Sequence, residues 1–433
     1  MARVTRRKFL QASSAGLAGI LAARQAPAFA QGTALGWLRW SDFVPASDQL
    51  LRNEILAEAQ KALGIKVTLE TVNANDIQPR VTSAVQSGTG PDIIMTLSNW
   101  PQLYADSTVD VTDIVEKLDK DQGGIYETNV AVARVGKRWA AVPWATVGFL
   151  IAYRKSWFDQ IGVSAFPDTW EKYREAGKKL KANGHPLGQT LGHTFGDAPA
   201  FCYPYLWSWG GREVDEGKVV LDSKATLESV RFMTGFWKEA HDEGGLAWDD
   251  TNNNRAFLSG EISATLNGAS IYVEALRKPE QYKTEKGTPL KDDIQHAALP
   301  KGPGGRFSYH LPISHMVMKY SKNAKAAKDF LVWLQLKPMF EKWFVSQKGY
   351  SVAATKEWEK HPMWQQDPIM LPFRSATATG RMLGYSGPPD KRAAEVLSRY
   401  IIIDLYAKAV QGMKPEEAVR WASGELRKIY SQV

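Results

Sequence analysis

The chain has 433 residues and a single cysteine, Cys202. One thiol cannot form an intramolecular disulfide, nor can it hold an iron–sulfur cluster. Long apolar runs are also missing: no segment approaches the ~20 uninterrupted apolar residues of a membrane-spanning helix. Catalytic signatures are absent as well. There is no Gly-rich loop ending in Lys-Ser/Thr, no H-E-x-x-H and no cysteine pair. Lys301-Gly302-Pro303-Gly304-Gly305-Arg306 lacks the ending of a phosphate cradle and reads as a loop. Leu383-Gly384-Tyr385-Ser386-Gly387 misses the G-x-S-x-G pattern by one place. The seven histidines show no metal-ligand spacing. Neither a metal nor a cofactor is expected.

Charge of one sign is scarce once the N-terminus is set aside. The whole chain has 54 Lys+Arg and 46 Asp+Glu, a net +8. Met1 to Ala30 holds Arg3, Arg6, Arg7, Lys8 and Arg24 and no acid, so the remainder carries 49 against 46, or +3. Without a clustered basic face, nucleic acid is not an expected partner. The dense run Lys178-Lys179-Leu180-Lys181 reads as a solvated helix face.

The N-terminus has the marks of an export leader. Thr5-Arg6-Arg7-Lys8-Phe9-Leu10 matches a twin-arginine signal, Ala12 to Ala23 is mildly apolar, and Ala28-Phe29-Ala30 is an A-x-A cleavage box. Cys202 lies far from that box, so no lipid-attachment cysteine follows it. The expectation is a soluble periplasmic protein, exported by the twin-arginine pathway and monomeric.

Aromatics, by contrast, are plentiful, with 16 Trp. Flat indole faces suit the apolar faces of sugar rings, and they also fill large cores. The roughly 400 residues after the leader suffice for two cores. Leu35 to Trp40 reads as a strand, about Ala46 to Leu63 as a helix stopped by Gly64, and Ile65 to Val72 as an alternating strand. A helix over Asp76 to Ser87 and a short buried strand, Ile93-Ile94-Met95, follow. Strand, helix, strand, helix, strand implies an α/β fold with a parallel sheet covered on both faces. Ligands of such sheets bind beyond the carboxyl ends of the strands. Here those ends carry Trp40-Ser41 and Ser98-Asn99-Trp100.

Val142 to Trp170 (VPWATVGFLIAYRKSWFDQIGVSAFPDTW) holds a β-prone run from Val147 to Tyr153. An aromatic helical piece, Gly162 and a helix start at Asp168-Thr169-Trp170-Glu171 follow it. This order resembles the family-1 extracellular solute-binding proteins, the receptors of bacterial ABC importers for sugars and polyols. Gly88-x-Gly90-Pro91-Asp92-Ile93-Ile94 resembles the family too, as do Ala256 to Gly268 (AFLSGEISATLNG) and Asn323 to Leu336. Gly349-Tyr350-Ser351-Val352 does so with Val in place of the usual Pro. The resemblance implies a two-lobe periplasmic-binding-protein fold of the type II kind, crossed three times. The crossings are expected near Trp144–Val147, Ala264–Asn267 and Leu311–His315. One lobe would be 31–145 plus 266–312, and the other 146–265 plus 313–433.

Candidate ligand residues follow from the strand ends and from the resemblance. Trp40, Trp100 and Trp144 could stack on a sugar, or fill core. Ser41, Asn99, Asn267 and Ser270 suit hydroxyls, or cap helices. Asp197 could accept two hydroxyl hydrogen bonds, or cap the aromatic helix after it. Arg306, Tyr309 and His310 precede the third expected crossing, and a cation there would matter for an anionic ligand. Tyr350, Arg374 and Tyr385 complete the set. The implied function is capture of a carbohydrate or polyol by hinge closure and delivery to inner-membrane ABC permease subunits, without enzymatic activity. The alternatives are a phosphorylated polyol, a polyamine or another small osmolyte, and an exported glycan-active hydrolase or lyase. Polyamines need several acids among aromatics, and the expected cleft offers Asp42 and Asp197.

Overall fold

The computed structural model describes residues 33–431. The expected leader, Met1 to Ala30, lies outside the described residues. Two sheets organise the chain. The first contains β1 (Thr33–Trp40), β2 (Ile65–Val72), β3 (Ile93–Leu97) and β4 (Val142–Val147). The second begins with β5 (Leu150–Arg154), β6 (Ala264–Asn267) and β7 (Ile294–Ala297). The chain then returns to the first sheet with β8 (Leu311–Val317) and β9 (Ser351–Ala353). The strand order is β9-β4-β8-β3-β1-β2 in the six-stranded sheet and β6-β5-β7 in the three-stranded one.

The opening of the chain folds as its pattern predicts. β1 pairs in parallel with β2 and with β3. At the edge, β2 buries Ile65, Val67 and Leu69 and exposes Lys66, Thr68 and Glu70, the alternation of a half-covered strand. The expected helix after β1 contains one wider turn: α-helical Pro45–Leu50 and Leu56–Leu63 flank a π turn, Leu51–Ile55. Gly64 ends it in the left-handed region at φ 71°. Beyond β3 the sheet departs from the purely parallel expectation, because β8 is antiparallel to both β3 and β4.

The apolar run read as one strand is two. Gly148 and Phe149 separate β4, in the first sheet, from β5, in the second. This is the first crossing, and it falls just beyond the expected Trp144–Val147. The next two expectations need correction. Ala264–Asn267 is no crossing, because β6 lies wholly in the second sheet beside β5. β7, expected with the first lobe, pairs with the other edge of β5. The chain returns only between Ala297 and Leu311, so β8 and β9, expected largely in the second lobe, complete the first sheet. The sequence reading did not mark these strands. Which sheet edge each one completes depends on partners far away in the chain.

After β9 the chain crosses again. Helices Ile401–Val410 and Pro415–Tyr430 pack on Lys224–Ala240, and Ile401–Val410 also packs on Asp197–Ser208, beside the second sheet. Lys391–Ser398 lies between the lobes and meets the short helix Trp100–Tyr104 of the first. The core is strongly aromatic: Trp37, Trp100, Trp170, Trp207 and Trp343 are all almost fully buried. Cys202 is buried, as expected of a small apolar side chain. Among the described residues no helix is long and apolar enough to cross a membrane.

Candidate functional site

The two lobes meet around a small cavity of about 20 Å³. Its wall draws on both sides. The first lobe supplies Trp40 at the end of β1, Phe43 after it, Leu311 at the start of β8, and Tyr350 before β9. The second supplies Gly196, Asp197 and Asp250, then Asn267 at the end of β6 and Gly268 and Ser270 after it. Phe149, in the first crossing, closes the wall. A volume of this size admits about one water, so the lobes stand nearly in contact. At Gly268 a Cβ would stand 2.6 Å from Val147 Cγ1 and 3.0 Å from Tyr350 Cε2. Only the missing side chain lets the lobes approach that closely.

The second-lobe wall is a hydrogen-bonded acid pair. Asp250 accepts from the backbone N–H of Asp197 at 2.7 Å, from that of Gly196 at 3.1 Å, and from the Thr194 hydroxyl. It thereby fixes the start of helix Asp197–Ser208. Asp197 Oδ2 accepts from Asn253 Nδ2 at 2.7 Å. Burial raises both carboxyls, Asp197 well above the usual range with Asp250 as its next cause, and Asp250 to about 6. Asn267, Ser270 and Asn254 form a polar ring: Asn267 Nδ2 donates to Asn254 Oδ1 at 2.7 Å, and Asn254 Nδ2 donates to Ser270 Oγ at 2.9 Å.

On the first-lobe wall, Trp40 is edge-on to Phe43 at 5.7 Å between ring centroids. Among the described residues its buried indole N–H has no hydrogen-bond acceptor. Burial holds the Tyr350 phenol well above its usual value, and Asp42, Asp197 and Asp250 add to this. Asp42 stands behind the wall, where it accepts from Gln347 Nε2 at 3.0 Å and pairs with Arg39 at 3.1 Å. Among the described residues, no group of three or more His, Cys, Asp or Glu side chains is placed to hold a metal ion.

The structure brings five of the expected ligand residues together at this cavity: Trp40, Asp197, Asn267, Ser270 and Tyr350. The others lie elsewhere. Trp144 packs in the first-lobe core, 4.5 Å from Trp343 and 4.8 Å from Phe340 between ring centroids. Trp100 is buried edge-on to Phe195 at 4.8 Å, and Asn99 Nδ2 donates across the lobes to Pro389 O at 3.4 Å. Ser41 is exposed, its N–H paired with Val72 O. Arg306 is exposed and donates to Asp168 O at 3.4 Å. Arg374 is exposed at a separate crevice beside Tyr126 and Trp358. Tyr385 lies half-buried against Trp207 at 5.7 Å.

Tyr309 is buried, and His310 supports the wall from behind by accepting the Phe149 N–H on Nδ1 at 3.0 Å. Burial lowers that imidazole to about 4. The sequence reading missed Phe43, Phe149 and Asp250. Asp250 had a visible signal, the polar run Asp249-Asp250-Thr251-Asn252-Asn253-Asn254 that leads into helix Asn252–Ser259.

Two α/β lobes, joined by repeated crossings around one polar and aromatic cavity, define a bilobal solute-receptor fold. Residues 45–338 match the family of bacterial extracellular solute-binding proteins, and the chain belongs to that family. A probable ABC transporter-binding protein of Deinococcus radiodurans is 22% identical over 56% of this chain. An erythritol/L-threitol-binding protein of Mycolicibacterium smegmatis is 20% identical over 69% of it. The matches span less than two thirds of either relative, 58% and 64%. In fold, the chain is similar to a maltose-bound MalE3 of T. maritima, with a TM-score of 0.78 and 22% identity over 92% of this chain and 100% of that one. A ribitol complex of a solute-binding protein from Agrobacterium radiobacter K84 gives 0.73 and 19% over 92% and 99%.

Proposed function

We propose that the chain is the periplasmic receptor of an ABC importer, taking a sugar or polyol between its lobes and delivering it to inner-membrane permease subunits. The observation that carries this reading is the composition of the cavity wall. Trp40 and Tyr350 come from one lobe, and Asp197, Asn267 and Ser270 from the other. Aromatic faces and short polar groups together suit a hydroxylated ligand. Because the wall is split between lobes, opening them separates its halves. A ligand that touches both halves favours the closed state by its differential affinity. Relatives named for erythritol/L-threitol, and similar folds holding maltose or ribitol, support this ligand class. The twin-arginine leader would deliver the protein, as a monomer, to the periplasm.

Among the described residues a phosphorylated polyol finds no matching cation at the cavity, since neither Arg306 nor Arg374 lines it. For a hydrolase, Asp250 is poorly placed as nucleophile or acid, because three protein donors already engage its carboxyl.

The test is a thermal-shift screen of sugars and polyols, followed by small-angle scattering of each hit. A ligand at ~100 times its dissociation constant adds roughly 2.7 kcal/mol of stability. The expected result is a hit that also shrinks the radius of gyration and is lost in Trp40→Ala. Hits that leave the shape unchanged, or survive that substitution, would refute closure around this wall. Export is checked separately: Arg6→Lys with Arg7→Lys should retain the protein in the cytoplasm.

A further inference from the structure

Resting on the solute-receptor reading, we propose that the ligand of this cavity carries a protonated amine among its hydroxyls, as in an amino sugar or an amino polyol. The charges on the wall are one-sided. Asp197 and Asp250 line the cavity, and among the described residues no lysine or arginine does. Among the described residues neither acid takes part in an ion pair. Arg39, next to the nearby Asp42, is itself committed to Asp42 and Asp48, at 3.1 and 3.6 Å.

The two acids have different tasks. Asp250 is engaged by three protein donors, two of them backbone N–H groups, and so organises the chain around it. Asp197 accepts one side-chain hydrogen bond, on Oδ2. Its Oδ1 receives no protein donor among the described residues. Burial and the neighbouring Asp250 favour the neutral form of the Asp197 carboxyl, and a cationic guest donating to Oδ1 would supply the charge partner that favours the carboxylate. The rings of Trp40, Phe43, Phe149 and Tyr350 share the same wall, and aromatic faces attract a small organic cation.

A second observation sets the rest of the ligand. Among the described residues the buried Trp40 N–H has no acceptor, and because Trp40 lines the cavity a guest oxygen could supply one. A purely cationic amine lacks that oxygen, and a neutral polyol lacks the charge. The amine would donate to Asp197 Oδ1, and a hydroxyl oxygen would accept from Trp40.

Calorimetric titration of the purified protein with matched pairs tests this: glucose against glucosamine, sorbitol against 1-amino-1-deoxysorbitol, and ribitol against 1-amino-1-deoxyribitol. Charge-assisted hydrogen bonds are about twice as strong as neutral ones, so at least one amino member should bind tenfold or more tighter than its neutral partner. N-acetylglucosamine, which keeps the hydroxyls and removes the charge, should lose any such gain, a control that needs no variant. Asp197→Asn should bring the paired affinities close together. A neutral member that binds as tightly as its amino partner overturns the inference and leaves the sugar and polyol reading standing. Silence from every pair overturns both.

Discussion

Replacing Trp144 with alanine separates two roles that an indole at a strand end can have. If Trp144 were a stacking platform, Trp144→Ala would abolish ligand binding and leave stability nearly intact. The structure makes the opposite demand. The side chain is only 3% exposed. Its ring lies 4.5 Å from Trp343, 4.8 Å from Phe340 and 5.4 Å from His315, and it is not part of the cavity wall. Truncating such a residue costs about 3–5 kcal/mol. Each lost aromatic pair, worth ~0.5–1.5 kcal/mol beyond its buried area, favours the upper half of that range. For a lobe of roughly 200 residues each kcal/mol moves the melting midpoint by ~2–4 °C, so a fall of about 6–20 °C is expected. Differential scanning calorimetry of wild type, Trp144→Ala and Trp40→Ala reads this directly. Affinity, titrated well below each midpoint, should fall for Trp40→Ala and hold for Trp144→Ala. A Trp144→Ala protein that melts within ~2 °C of wild type but no longer binds would refute the core assignment.

Glu213 gives a pH signature. Burial pushes its carboxyl from 4.5 to about 7, against the lowering donors Trp207 Nε1 and Gly384 N. The folded state therefore holds this proton where the unfolded chain has lost it. The stability so gained is complete below 4.5 and is lost as pH rises through about 7. At about 1.4 kcal/mol per pH unit this is on the order of 3 kcal/mol, and melts of Glu213→Gln from pH 4.5 to 7.5 should lack that dependence.

His310 has the opposite sign. Its imidazole is lowered from 6.5 to about 4, so its contribution is present above 6.5 and is lost as pH falls toward 4. His310→Leu should remove that acid sensitivity and, by orphaning the Phe149 N–H, cost about 1–3 kcal/mol at neutral pH in denaturant titrations. At Gly148 a Cβ would stand 2.7 Å from Ala376 Cβ and 3.1 Å from Phe373 Cδ1. Gly148→Val should cost about 1–3 kcal/mol by overpacking the first crossing, and scattering should show a larger radius of gyration; an unchanged midpoint would contradict the packing found there.

The sequence by itself determined the local elements and the class of fold. Alternation from Ile65 to Val72, Gly64 as a helix stop and the Thr169 cap of helix Trp170–Ala182 are all decided within a few residues, and they appear where the pattern placed them. The family resemblance likewise rested on short motifs in a fixed order, and the chain belongs to that family. Lobe membership was decided elsewhere. β7 (Ile294–Ala297) is half polar and β8 (Leu311–Val317) is fully buried, and neither pattern says that one completes the edge of β5 and the other sits between β3 and β4. That choice depends on pairings between strands as distant as β3 and β8, which no local pattern records. The same limit applies to the tryptophans. Trp40 and Trp144 both stand in buried strands beside polar or small residues, and only tertiary packing turns one toward the cavity and the other toward Trp343. Asp250 joined Asp197 for the same reason: two carboxylates separated by more than fifty positions became neighbours when one carboxylate accepted the backbone N–H of the other, a contact that exists only once the second lobe has closed on itself.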